Sequence, residues 1–131
     1  LEVMGECPEP FTAVVGECFY LSPNTLSWHS ARHTCRGMGG DLATPKHLYA
    51  LKAFLTNERG PKAAWIGGMD LGLDGGWKWI NGAVIDSADW GHNQPNSVRP
   101  TEQCLALRRD WHPVLDDLPC HQYQRFVCQY T

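Results

Sequence analysis

At 131 residues, with 11 basic against 14 acidic side chains and a net charge of -3, the chain is sized for one domain with its own core. The small acidic excess and the lack of any Lys/Arg run argue against phosphate neutralisation, so no nucleic-acid partner is expected. No apolar run nears the roughly 18 residues of a membrane helix, so membrane insertion is not expected either.

Six cysteines stand at 7, 18, 35, 104, 120 and 128, without the close C-x-x-C pairs of a zinc ribbon. An even set of this kind reads as disulfides, which places the chain in an oxidising, extracellular compartment. The start, LEVMGE, lacks the charged-then-apolar pattern of a leader, so the chain reads as a mature secreted form. Six cysteines allow fifteen pairings, and spacing alone does not choose among them.

In chain order, FTAVVGECFYL (Phe11 to Leu21) is rich in β-branched and aromatic residues and broken at Gly16, which predicts two short strands around a turn. LSWHSARHTCRGMGG follows, with Ser27 as a candidate N-cap. Trp28, Ala31 and Cys35 recur at steps of three and four, and Gly39 and Gly40 form a stop, which predicts an amphipathic helix. In TPKHLYALKAFLTNE, Thr44 can cap, Pro45 suits the first helical position, and Leu48, Leu51 and Leu55 form an apolar stripe fit to cover a sheet. From Ala64 the texture changes to short apolar pieces (AWIGG, GWKWI, CLALR, RFVCQY) separated by Gly, Asn, Asp and Pro. Two helices followed by strands and long loops give an α+β class. The stretch from Gly82 to Pro119 has few strands for its length, and such stretches in compact domains are usually functional.

These pieces resemble the C-type lectin-like domain over essentially the whole chain, read as a single carbohydrate-recognition domain spanning 1–131. The resemblance rests on CPEPF, C-x-x-x-G-G-D-L-A from Cys35, W-I-G-G at Trp65 to Gly68, G-W-K-W-I, the triplet Gln94-Pro95-Asn96, D-D-L-P-C, and F-V-C, all in order and spacing. It implies a double-loop fold in which two helices flank antiparallel sheets and a long loop carries the ligand site. It also implies the pairings Cys7 with Cys18, Cys35 with Cys128 and Cys104 with Cys120, and a cis bond between Gln94 and Pro95.

The same resemblance implies a calcium cage of Gln94, Asn96, Glu102, Asp116 and Asp117. The chemistry fits, since calcium takes oxygen ligands from carboxylates, amide carbonyls and water. The triplet Gln-Pro-Asn mixes the family's usual Glu-Pro-Asn and Gln-Pro-Asp, and Leu115-Asp116-Asp117 stands where Trp-Asn-Asp is usual. The two changes offset each other, because Gln94 removes a carboxylate and Asp116 restores one, leaving Glu102, Asp116 and Asp117 as three formal negative charges. The sugar side is expected to use Gln94, Asn96, Glu102 and Asp116, with Trp111 as a stacking platform, and its donor and acceptor map matches neither mannose-type nor galactose-type sites. Asp70 and Asp74 mark an auxiliary calcium position, read here as turn aspartates.

Other constellations are set aside. His29 and His33 lie four apart on the first helix without a third ligand, and read as solvent-facing. Trp65, Trp77, Trp79 and Trp90 read as packing residues. Arg99, Arg108 and Arg109 flank the cage, facing an acidic sugar or solvent. No G-x-S-x-G occurs and the cysteines are spent on disulfides, so catalysis is not expected. The expectation is a secreted, calcium-dependent lectin binding microbial or self glycans in innate immunity. Weak single sites gain from several copies, which makes a homo-oligomer plausible. The alternative is a binding protein of the same fold that recognises a protein, mineral or ice surface, favoured by Leu115 and the mixed triplet.

Overall fold

The computed structural model describes residues 7–70, 76–91, 94–95 and 103–131. The amino-terminal stretch forms β1 (Thr12–Val14) and β2 (Glu17–Leu21), paired antiparallel through Val14 and Glu17 across a two-residue loop. Val15 (φ 48) and Gly16 (φ 79) are both left-handed, the loop geometry that suits the twist of two antiparallel strands. Helix α1 (Trp28–Gly37) starts after Ser27, whose backbone is extended but whose side chain makes no capping bond, and Gly39 (φ +92) turns the chain out. Strand β3 (Gly40–Leu42) then pairs with β8 (Arg125–Tyr130).

Helix α2 (Leu48–Asn57) begins three residues beyond the predicted Pro45, with His47 at its N-cap. The backbone amides of Thr44 and Lys46 explain the delay. They donate to the Gln129 side chain (2.9 Å) and to the Glu17 carboxylate (3.1 and 3.2 Å), so this segment is fixed to the sheet and does not enter a helical turn.

The remaining strands are β4 (Ala63–Asp70), β5 (Trp77–Trp79), β6 (Gln103–Arg108) and β7 (Leu115–Pro119), with a 3-10 turn at Ser87–Asp89. They assemble in the order β1-β2-β8-β4-β6-β7, with β3 on β8 and β5 on β4. The pairings are antiparallel as expected, with one addition: β4 and β8 run parallel through Ala64/Arg125 and Trp65/Phe126. β7 was not anticipated as a strand, since LDDLP carries two aspartates and a proline.

Successive residues of the central strands feed opposite faces, as a pleat of period two requires. Ala64 and Ile66 of β4, Leu105 and Leu107 of β6, and Val127 of β8 pack with Leu48, Leu51 and Leu55 of α2. Trp65, Ala106 and Phe126 pack with Trp28, Ala31 and Cys35 of α1. One helix therefore covers each face, which is why these strands read as continuous apolar runs rather than alternating ones. The buried indoles are satisfied by donating to backbone carbonyls, Trp28 Nε1 to Ile66 (2.8 Å) and Trp65 Nε1 to Leu26 (3.0 Å). All three expected disulfides are present, Cys7–Cys18, Cys35–Cys128 and Cys104–Cys120.

Candidate functional site

β7 ends the sheet order, so its inner edge pairs with β6 and its outer edge is available to the loop that follows the 3-10 turn. That loop docks there: Trp90 forms a parallel bridge with Leu115, and the Gly91 amide donates to the Leu115 carbonyl at 2.7 Å. Gly91 is required by the contact, because a Cβ there would stand 2.5 Å from Cε3 of Trp111 and 3.1 Å from the Leu115 carbonyl oxygen. The Gln94 amide closes a turn back onto the Gly91 carbonyl (2.9 Å), and the Gln94–Pro95 bond is cis, as expected. Gln94 thus lies one turn beyond the residue docked on β7, the strand that holds Asp116 and Asp117. Asn96 and Glu102 lie outside the described residues.

Asp116 and Asp117 are both buried, each with 4% of its surface exposed. The register pairs Asp116 with Ala106 and Asp117 with Leu105, so Asp116 lies on the α1 face and Asp117 on the α2 face. Arg108, two residues beyond Ala106, shares the Asp116 face as its diagonal neighbour. Its Nε donates to Asp116 Oδ2 at 2.8 Å. Burial raises the Asp116 carboxyl above its ordinary pKa, against the hydrogen bond and charge of Arg108. The neighbouring Asp117 charge adds to the upward push on Asp116. The ion pair alters the charge balance read from sequence, since one of the three counted carboxylates already faces a cation.

The Gln94 side chain is the complementary case. Its Oε1 is buried and accepts no hydrogen bond among the described residues. A buried amide oxygen left without a donor is costly in a folded protein, and it is the type of atom that a calcium ion accepts as ligand. The amide oxygen of Gln94 and the buried carboxylate of Asp117 are ligand types that a hard divalent cation takes.

Trp111 sits on the β6–β7 turn, half-buried, with the Arg108 guanidinium carbon 4.9 Å from its ring centroid. Its carbonyl accepts from Lys52 Nζ of α2 at 2.9 Å, and Arg109 Nε donates to the Gly60 carbonyl at 2.9 Å. Arg108 and Arg109 are thus engaged within the protein, while Arg99 is outside the described residues. The structural partners of Arg108 and the packing role of Gly91 depend on cross-strand register and loop docking, and no local motif signals them.

The remaining candidates separate cleanly. Asp70 ends β4, and Asp74 lies outside the described residues. His29 and His33 are exposed on α1, as expected. His29 does lie with Cys104 and Cys120 in a cluster of ligand-type atoms, but both sulfurs are joined in a disulfide. Trp65 is fully buried, and Trp77, Trp79 and Trp90 pack against the core, with Trp77 and Trp90 edge to face at 4.9 Å. A cavity of about 360 Å³ lined by Arg32, Met69, Lys78, Trp79, Ile80 and Gly82 belongs to the α1 and β4–β5 side rather than to the loop on β7. Among the described residues no helix is long and apolar enough to cross a membrane.

Comparison with known proteins adds the family. The chain is 33% identical over 125 residues to the type-2 ice-structuring protein of Osmerus mordax, covering 94% of this chain and 70% of that protein. It is 29% identical over 124 residues to C-type lectin domain family 17, member A, of Homo sapiens, covering 94% of this chain but only 32% of that relative. Among solved structures, a calcium-independent type II antifreeze protein superimposes with a TM-score of 0.80 at 25% identity, over 99% of this chain and 97% of that one. The family described as "Lectin C-type domain" matches residues 24–130, and the chain belongs to it.

Proposed function

We propose that this chain is a secreted, calcium-dependent carbohydrate-binding domain whose site lies on the loop along the outer edge of β7. The ion would be held by Gln94, Asn96, Glu102 and Asp117, with Asp116 joining when Arg108 leaves it. Bound calcium supplies affinity for a vicinal diol of a sugar. The amides of Gln94 and Asn96 donate to its hydroxyls, the carboxylates of Glu102 and Asp116 accept from them, and Trp111 flanks the ring. The observation that carries this reading is Gln94 Oε1, a buried acceptor without a donor among the described residues, on a loop fixed to the strand of Asp116 and Asp117. The domain acts by binding rather than by catalysis, in keeping with its family. Glycans of microbial or host surfaces are its targets in innate recognition, engaged by several domains at once.

A second reading has its own support. The Arg108–Asp116 ion pair supplies an internal cation, and the chain is similar to a calcium-independent type II antifreeze protein. It would then recognise a protein, mineral or ice surface without metal. Glycan-array binding with calcium and with a chelator separates the two. The lectin reading expects glycan signal that the chelator abolishes. Chelator-insensitive binding, or no glycan signal on a multivalent display, overturns it in favour of the second.

A further inference from the structure

We infer that Arg108 is an internal counter-ion of the site, and that calcium and the Arg108 guanidinium compete for the Asp116 carboxylate. The inference rests on the calcium-dependent reading of the site and adds the residue that sets its affinity.

Three observations support it. The contact is a charge-assisted hydrogen bond at 2.8 Å to an aspartate whose side chain is only 5% exposed, whereas Arg108 itself is 30% exposed. The carboxylate is therefore fixed and the cation is the movable partner. The diagonal register, with Ala106 opposite Asp116, aims a two-residue-displaced side chain at that carboxylate with no rearrangement of the hairpin. Finally, the guanidinium already lies over Trp111, whose carbonyl is tied to Lys52 and whose ring packs on Gly91. Arg108 thus keeps an aromatic platform when it releases Asp116, which makes the exchange less costly than release into water.

The physical consequence is an exchange of cations. A guanidinium and a divalent ion on one small buried carboxylate repel each other at short range, so calcium engages Asp116 only as Arg108 withdraws. In the absence of calcium the guanidinium neutralises the carboxylate and leaves β7 paired with β6. Arg108 is a positioning residue: it acts on the ion through Asp116.

The test is calcium titration by calorimetry of the wild-type chain, Arg108→Gln and Arg108→Lys. The expected result is at least about tenfold tighter calcium binding by Arg108→Gln, the scale of one charge-assisted hydrogen bond, with Arg108→Lys restored toward wild type. Equal or weaker binding by Arg108→Gln, alongside a wild type that binds, overturns the inference and leaves the calcium reading intact. Calcium binding by no form up to the millimolar range of extracellular modules overturns both. A second measurement needs no variant. The Arg108 Nε–H resonance of the wild-type chain, followed by NMR, is expected to be exchange-protected in chelator and to lose that protection in calcium. Protection unchanged at calcium saturation overturns the inference even if Arg108→Gln fails to fold.

Discussion

Two buried carboxylates at opposite parts of the sheet are treated differently. Glu17, 9% exposed, receives the Lys46 backbone amide and the Gln129 side-chain amide (2.9 Å), both donors that belong to the scaffold. Asp116, 4% exposed, receives instead a guanidinium from a side chain that is 30% exposed. Fixed neutral donors make Glu17 a joint between β2, β8 and the entry to α2. A partly exposed cation holds Asp116, which under the inferred exchange is the position that changes partners. Burial alone therefore does not distinguish these two acids; the nature of the donor does.

The largest effect that sharpens this contrast lies at the scaffold end. Cys35–Cys128 closes a span of 93 residues, and the double replacement Cys35→Ser with Cys128→Ser is expected to lower unfolding free energy by roughly 4–5 kcal/mol in denaturant titration. The corresponding loss at Cys104–Cys120, which spans 16 residues near the site, is about 3 kcal/mol in the same model. Equal losses would show that loop closure is not what these bonds contribute.

Next comes Asp117. Its replacement by alanine is expected to remove the calcium-dependent thermal stabilisation, about 2.7 kcal/mol at a calcium concentration one hundred times Kd. A variant whose melting temperature still rises with calcium as in the wild type places the ion elsewhere. Glu17→Ala should do the reverse. Leaving the Lys46 and Gln129 donors unsatisfied is expected to destabilise the fold by about 1–3 kcal/mol while calcium affinity stays unchanged. A large change in calcium affinity in Glu17→Ala would break the division between the two carboxylates.

The smallest effect concerns Asp89, on the 3-10 turn ahead of the loop. Burial first, and then Asp86, raise its carboxyl above the ordinary value of 3.8. A raised folded-state pKa contributes stability that is complete below the unfolded value and is lost as pH rises through the folded one. Asp89→Asn is therefore expected to flatten the stability profile from pH 3.8 upward, by a few tenths of a kcal/mol at about the level of a solvent-screened surface charge. A variant profile parallel to that of the wild type over this range would contradict it.

The order of elements was legible because each rests on local chemistry. The α1 stripe of Trp28, Ala31 and Cys35, the α2 stripe of Leu48, Leu51 and Leu55, and the β1–β2 turn at Gly16 are period and punctuation signals, and all three appear where they were read. The start of α2 was misplaced because Thr44 and Pro45 are good local signals overruled by contacts to Gln129 and Glu17, which are 85 and 29 residues away from the amides they accept. β7 is not legible as a strand because two buried aspartates and a proline break the apolar pattern of LDDLP.

For the site, the sequence by itself determined the inventory: oxygen donors at Gln94, Asp116 and Asp117, a proline after Gln94, and cysteines that the family likeness could pair. Those are properties of residue type and spacing. Only the tertiary structure decided how they are used. Strand alternation put Asp116 and Asp117 on opposite faces, the docking of Gly91 on Leu115 anchored to β7 the turn that carries Gln94, and the register of β6 against β7 delivered Arg108 to Asp116. A charge count made along the chain sums carboxylates; the fold subtracts the cation set beside one of them, because electrostatic balance depends on distances through space that residue order does not specify.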